Sequence, residues 1–507
     1  MVVYVYFFLL FIVYITGKSS FYVSKNDIYI ICLVVITAML FMYKGFKPNN
    51  FTQLLILFLL YFIFKDCKIH RLSSSLFFLI GLYSVIISFI VLLRKDKLLN
   101  GNIFESLTEL SLCITLFVIF AMHKFARLNN MAKWIYLFLI ICSFALLLLL
   151  KCRVGILATS IPLLQYLSCY KKIFFSVLIF FCFIIISINK NDSTLGRAFI
   201  YNTTLSMIKS PTDFLFGKGY MAFEKDYMFQ QAQNLTNKPD AIRQRADNIK
   251  HPLNEFLLYI LEYGVLSLVL FFFLIFLFIR SCPTNILYNS ILFSIIVYAL
   301  FTYPLRYPLT WVLIVWTLSS LNKNKMASLK EFHVLPVAIF LACLLYNVVN
   351  YAYDHYRWEK AYIMASVGDY EKAEKMYMII EKKMQREDSF LYNYSSFLSA
   401  SNKQGKAIKI IQKIKTYSYE TEMLKGEIFY RSSFFDNAIN HFRNASNMCP
   451  NRFKPLYEIY NIYGQMGKVA EQKYIAREII TKPIKVDSKE VRIIKSVVTK
   501  FLKEYEK

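Results

Sequence analysis

The sequence predicts an all-α chain in two parts: a polytopic helical membrane domain over residues 1–352 and a helical-repeat solenoid over 353–507. Three observations predict it. The chain is 57% hydrophobic and 17% aromatic but only 18% charged, where a soluble protein carries about a quarter charged residues. The apolar residues are concentrated in successive runs up to about Tyr353, after which the composition becomes ordinary. A small-residue motif in the tail recurs after 34 residues, from Ala373 to Ala407. Together they exclude a simple cytosolic enzyme, a disordered chain and a small disulfide scaffold.

A bilayer core of roughly 30 Å takes about 20 apolar residues in a helix. About twelve candidate spans satisfy this loosely: 2–16, 28–43, 51–64, 74–93, 104–122, 134–150, 154–169, 173–188, 253–279, 286–303, 308–320 and 332–352. The first has no basic n-region and no small-residue cleavage site, so it reads as a retained span, with an upstream segment left open. Numbered from the N-terminus, the odd loops carry 14 Lys and Arg and the even short loops 8. The positive-inside rule then puts the odd loops in the cytoplasm. Both termini and the long loop at about 189–252 then face outside. Most of the ten cysteines lie in or beside apolar runs without paired spacing and read as small core residues.

From about Trp358 the chain reads as tetratricopeptide-like repeats. Gly368-Asp-Tyr-Glu-Lys-Ala373 with Tyr377, Gly405-Lys-Ala407, and Ala438 with Phe442 before Pro450 mark three units, and a degenerate fourth covers about 453–483. The alanines let two helices approach, and the aromatics fill the space between units. Such stacks bind or scaffold more often than they catalyse, so a protein partner on this domain is expected. Its net charge of +9 is explained by a solvated face without an acidic partner.

The long loop is where chemistry is expected, since a loop of this length in a compact domain is functional or disordered. It contains Gly196-Arg197, a helical stretch from Tyr201 stopped by Pro211, the pair Gly217-Lys-Gly219, a polar stretch with Arg243 and Arg245, and His251-Pro-Leu-Asn254-Glu255. The glycine pair permits a tight turn and a close backbone approach. With Pro252 read as the first helical residue, Glu255 falls four residues after His251 on the same side, where a carboxylate orients and activates an imidazole. A structural interface pair is the competing reading. Arg153 lies between two spans, where it either snorkels or faces an anion. Arg197 alone reads as solvated. Taken together on the outer face, the two guanidiniums suit a diphosphate, and His251 suits the proton of an attacking hydroxyl.

These residues resemble the O-antigen ligase and O-antigen polymerase superfamily. Gly196-Arg197, Gly217-Lys-Gly219 with Phe223, His251-Pro-Leu-Asn254-Glu-Phe-Leu257 and Glu262-Tyr-Gly264 are similar to its signature, and Arg153-Val-Gly155 to its shorter upstream motif, with Cys152 in place of serine. The resemblance covers about 130–320. It implies a metal-independent glycosyltransferase without a cofactor that moves a glycan from undecaprenyl diphosphate onto lipid A core, another glycan or a protein hydroxyl. Arg153 and Arg197 would hold the diphosphate and His251 would activate the acceptor. Gly217, Gly219, Arg243, Arg245, Asn254 and Glu255 would line the substrate or shape the loop. In many members the histidine directly precedes the asparagine, whereas here Leu253 does.

The other histidines are isolated and no spacing suggests a metal. Gly217-Lys-Gly219 lacks the rest of a P-loop, and the basic loops need no nucleic-acid partner. The leading expectation is an O-antigen ligase-like enzyme; polymerase and protein O-oligosaccharyltransferase stay open. A lipid-linked glycan transporter predicts broken spans with midplane charges. A membrane scaffold makes the repeat domain the working part.

Overall fold

The computed structural model describes residues 21–23, 27–44, 57–58, 60–62, 64–65, 67–93, 107–129, 131–165, 191–236, 238–282, 285–322, 327–329 and 334–505. Among the described residues the secondary structure is helical apart from one short antiparallel ladder, β1 (Phe21–Val23) with β2 (Ala327–Leu329), in the register Tyr22 to Ser328. It divides into two compact units. One comprises Met1–Leu195, Thr212–Tyr220 and Leu253–Leu344, and the other Gly196–Pro211, Met221–Pro252 and Leu345–Lys507.

The first unit holds α1 (Asp27–Lys44), α2 (Cys67–Leu93), α3 (Leu107–Arg127), α4 (Ala132–Leu149) and α5 (Arg153–Gln165). The start of α6 (Asn191–Ser206) and α7 (Pro211–Phe216) also belong to it in part. α3 is apolar all round, buried from Glu109 to Met122, and packs against α2, α4, α5 and α12 (Ile286–Phe301). With no polar face to orient it, hydroxyls fix its rotation. Tyr298 of α12 donates to Ser111 at 3.0 Å and lies 3.1 Å from Thr115, while Ser294 donates to the Ala158 carbonyl at 2.9 Å. α4 is different: Trp134, Ile135, Phe138 and Ile141 are exposed along it. A contiguous apolar face of this kind is disfavoured in water and suits lipid.

At the β1–β2 end a buried polar cluster ties three chain segments together. The Asp27 carboxylate accepts from Tyr61 at 2.7 Å, Lys65 at 2.6 Å and Asn322 at 2.7 Å. Burying a carboxylate costs several kcal/mol unless it is paired and fully hydrogen-bonded, and here it is both.

Two of the described helices, α3 and α4, are long and apolar enough to cross a membrane by length and composition; four shorter apolar stretches lie at Ser74–Ile90, Val265–Ser281, Ile286–Phe301 and Pro308–Leu321. The expected count of about twelve is therefore not reached among the described residues. The candidate spans at 2–16 and 173–188 lie outside them. The candidate at 253–279 is two helices, α10 (Glu255–Tyr263) and α11 (Val265–Ser281), broken at Gly264 with φ +83°. α13 (Pro308–Leu321) completes the apolar set. The expected boundary after residue 352 falls inside one unbroken helix, α14 (Val334–Val367), because nothing between Pro336 and Gly368 breaks it.

In the second unit, α14 is followed by α15 (Tyr370–Met384), α16 (Asp388–Ala400), α17 (Gln404–Ile411), α18 (Tyr419–Arg431), α19 (Phe435–Met448), α20 (Lys454–Gln465), α21 (Val469–Thr481) and α22 (Lys489–Tyr505). They pack as antiparallel pairs, α16 with α17, α18 with α19 and α20 with α21. The motif alanines Ala373, Ala407 and Ala438 are wholly buried, Ala407 and Ala438 each on the second helix of its pair and Ala373 on α15, the helix after α14. So each unit begins one helix before its motif. Phe442 shows how the motif works: its ring lies where Gly426 of α18 leaves out a side chain, and a Cβ there would sit 2.7 Å from the ring. Asp369 and Ser418 cap α15 and α18, accepting from Lys372 N at 3.3 Å and Thr421 N at 3.1 Å. α22 closes the stack with Ile494, Val498 and Leu502 buried.

Candidate functional site

Arg153 is the first residue of α5, entered through a sharp turn in which Lys151 takes φ +53°. The turn ends α4 after Leu149 and redirects the chain within three residues, as the Lys151-Cys152-Arg153 break suggested. Arg153 Nη1 donates to Thr194 Oγ1 at 3.1 Å, so the guanidinium is directed by a hydroxyl of α6. Thr194 precedes Arg197 on that helix by three residues, close to one turn. Thr194 was not singled out in the sequence, although this spacing within a helix would have marked it. α6 begins at Asn191, earlier than the expected start near Tyr201, and ends at Ser206. Pro211 then opens α7 instead of stopping α6, which suits proline's missing N–H at a first helical position.

The glycine pair has a use other than holding phosphate. Gly217 N donates to Asp213 O at 2.8 Å, Lys218 N to Leu261 O at 2.8 Å and Gly219 N to Glu262 O at 3.0 Å. The Lys218 and Gly219 amides satisfy the last carbonyls of α10, and the Gly217 amide satisfies a carbonyl of α7, so all three are engaged by main chain. A Cβ on Gly217 would overlap the backbone of Glu262 and Tyr263, and one on Gly264 would overlap the backbone of Leu215. Gly217 (φ +74°) and Gly264 (φ +83°) also hold backbone conformations that side chains disfavour. Two motifs read separately in the sequence, Gly217-Lys-Gly219 and Glu262-Tyr-Gly264, are thus one interlocked structure. Gly217 and Gly219 shape the loop.

Asn254 and Glu255 likewise have structural partners. Asn254 caps α10 by accepting from Leu257 N at 2.9 Å, and buried Glu255 accepts from Leu305 N at 3.0 Å. The helix starts at Glu255, so Pro252 is not its first residue and the expected helical spacing between His251 and Glu255 does not hold. His251 instead lies in the turn before the cap, half-buried, next to buried Pro252. Leu253 takes φ +58°, a left-handed conformation that costs a branched residue about 1–2 kcal/mol. Strain of this kind collects at working sites.

The rest of the loop packs on the repeat helices within the second unit. α8 (Ala222–Leu235) buries Phe223 stacked on Tyr227 at 4.4 Å and touches α19. Gln231, wholly buried, donates through Nε2 to Asp247 O at 2.9 Å and to Met448 O at 2.7 Å. Nothing in the sequence singled this residue out. Arg243, at the end of α9 (Asp240–Arg243), lies 3.8 Å from Asp240, and Arg245 N donates to Ile242 O at 3.0 Å. Burial pulls the Lys482 ammonium down to about 8; Glu478 opposes this, and the charges of Arg243 and Arg443 add to it. Arg243 therefore belongs to a cationic neighbourhood that includes tail residues. Farther along the stack, a cavity of about 420 Å³ is lined by Tyr392, Tyr430, Phe442, Glu427, Lys454 and Glu458 among others. Among the described residues, no group of three or more His, Cys, Asp or Glu is placed to hold a metal.

A helical bundle with an exposed apolar helix has the build of a membrane protein. Residues 107–272, about a third of the chain, match the family described as O-Antigen ligase. That stretch matches an O-antigen ligase domain, as its motifs suggested, and the match supports ligase- or polymerase-like glycosyl transfer in a membrane protein. No curated protein matches the chain. Among solved structures, the crystal structure of yeast Tom70 matches at 11% identity and a TM-score of 0.24, covering 95% of this chain and 97% of that one. A likeness at that score carries no argument.

Proposed function

We propose that the chain transfers a glycan from undecaprenyl diphosphate to an acceptor, lipid A core or a similar hydroxyl, at the periplasmic face of the inner membrane. The observation that carries this reading is the O-antigen ligase domain, within whose bounds Arg153, Arg197 and His251 all fall. The Arg153–Thr194 bond supports a common task for Arg153 and the Arg197 helix. In the proposed step, the acceptor oxygen forms a bond to the anomeric carbon while the bond to the diphosphate oxygen breaks. His251 takes the hydroxyl proton. Arg153 and Arg197 hold the departing diphosphate, whose charge grows as the bond breaks. The step needs no oxidant, metal or cofactor.

The contacts also support the twelve-span arrangement. The β1–β2 ladder and the Asp27, Lys65 and Asn322 cluster join loops 1, 3 and 11 of that count. Arg153 with Thr194 joins loops 6 and 8, and Glu255, at the end of the ninth span beside loop 8, meets Leu305 of loop 10. Odd loops meet odd ones and even loops meet even ones, as two separate membrane faces require. The interrupted helix at Gly264 would favour a transporter if the break lined a cavity, but the backbone of Leu215 fills it. The cavity on the repeat stack, with tyrosines and carboxylates, would suit a hydroxyl-rich acceptor or a protein partner.

The test is deletion in the host followed by complementation with Arg197→Ala and His251→Ala at matched membrane levels. Each variant is expected to lower glycan attachment by at least about a hundredfold, within the usual range for losing an acid–base group at His251 or a charge-stabilising donor at Arg197. Full restoration by both sinks the enzyme reading. In the deletion strain, unligated long polymer marks a ligase, single repeat units a polymerase, and glycan-free protein with normal lipopolysaccharide a protein transferase.

A further inference from the structure

The stretch just before His251 is anchored to the repeat domain, residue by residue. Asp247 lies 3.6 Å from Arg452 and 3.7 Å from Lys485. Asn248 Nδ2 donates to Glu420 at 2.5 Å, and Lys250 lies 3.9 Å from the same carboxylate. One helix over, Tyr417 N donates to Lys225 O at 3.0 Å and the Tyr417 ring meets Phe229 at 5.5 Å. Gln231 joins the pieces, because its buried amide holds the Asp247 carbonyl on one side and the Met448 carbonyl of α19 on the other. α6, which carries Arg197, is tied to α8 by Asn234 Nδ2 donating to Ser206 Oγ at 2.9 Å.

We infer that the repeat domain is the positioning scaffold of the loop that carries His251, with Gln231 as the positioning residue that couples the two. The exposed ion pairs contribute little singly. The buried Gln231 amide is different, since removing it leaves two carbonyls without their donor. Freed from it, the segment 246–250 keeps its fold only loosely, and displacement of a reacting group by about 1 Å can cost a hundredfold in rate. The same contacts set the side of the tail. Packed side chains cannot meet across an apolar layer of roughly 30 Å, so the tail occupies the compartment of the long loop, and the number of spans between them is even.

This inference rests on the proposed role of His251, and the experiment separates the two. In the full chain in membranes, Gln231→Ala is expected to lower kcat for glycan transfer by about tenfold to a hundredfold, with KM for the lipid-linked donor nearly unchanged. Gln231→Glu, which keeps the length but removes the donor, should do the same. Wild-type kcat in both variants overturns the inference. A rise in KM alone also overturns it. If His251→Ala is fully active while wild-type enzyme transfers, the role of His251 fails instead. A second arm does not depend on activity: Lys225→Cys with Tyr417→Cys, whose backbones are hydrogen-bonded, should form a disulfide spontaneously in an oxidising periplasm, found as a linked peptide by mass spectrometry. Absence of that link after added oxidant, in protein whose full length is confirmed, overturns the shared compartment and the scaffold together.

Discussion

The apolar bundle and the repeat tail solve the same problem with opposite residues. In the bundle nearly every side chain is apolar, so apolar contact cannot say which helix meets which. The few polar groups do that: Asp27 with Lys65, Tyr61 and Asn322 at one end, Tyr298 with Ser111 and Thr115 within. In the tail most surface is polar, and a few small or aromatic residues decide the packing: Ala373, Ala407, Ala438, and Phe442 against Gly426. The residues that carry information are those in the minority for their surroundings. In a lipid-like interior a misplaced hydroxyl is costly, and in water a misplaced methyl is.

The contrast can be broken most easily at Lys65. Replacing it with methionine removes a 2.6 Å ion pair from the buried Asp27 carboxylate, and breaking a buried pair costs about 3–5 kcal/mol. Unfolding of the full chain in detergent should shift accordingly, and an unchanged midpoint would mean that apolar contact alone specifies the bundle. The tail counterpart is Ala438→Leu, which forces a larger side chain into a filled helix contact at a cost of about 1–3 kcal/mol. Hydrogen exchange should quicken in 419–448 and stay unchanged in the bundle. A smaller effect is expected with pH. Glu422 is buried, which raises its carboxyl, yet the bonds from His441 and Lys425 outweigh that and hold it below the ordinary glutamate range. A depressed carboxylate stabilises the fold above its unfolded pKa and loses that contribution as pH falls through the folded value. Exchange in 419–448 should therefore quicken at acid pH in the wild type, and Glu422→Gln should flatten that dependence.

The same rule explains what was legible. Apolar runs and a repeated alanine are bulk patterns, so the bundle, the turn at Lys151-Cys152-Arg153 and the repeat helices could be read directly. The break at Gly264 could not, because Leu261-Glu262-Tyr263-Gly264 reads as apolar helix until Leu215 arrives from 49 residues upstream. Gly217 and Gly219 were recognised as permitting close approach, but what approaches, a phosphate or a helix end, is a tertiary fact. Glu255 was paired with His251 by helical spacing, and the Asn254 cap moved the helix start past His251. Gln231 carried no signal at all, since its two carbonyl partners lie 16 and 217 residues away.

The close approach of Gly217 to the Glu262–Tyr263 backbone, and of Gly264 to the Leu215–Phe216 backbone, has a consequence for how this chain tolerates change. Most packed contacts can absorb a replacement, because a larger side chain on one side can be matched by a smaller one on the other. Here both sides already stand at the minimum, bare main chain against bare main chain. No second-site change can make room. In a library of random variants selected for any function that needs the loop, these two codons should be the hardest to alter and the last for which a suppressor is found.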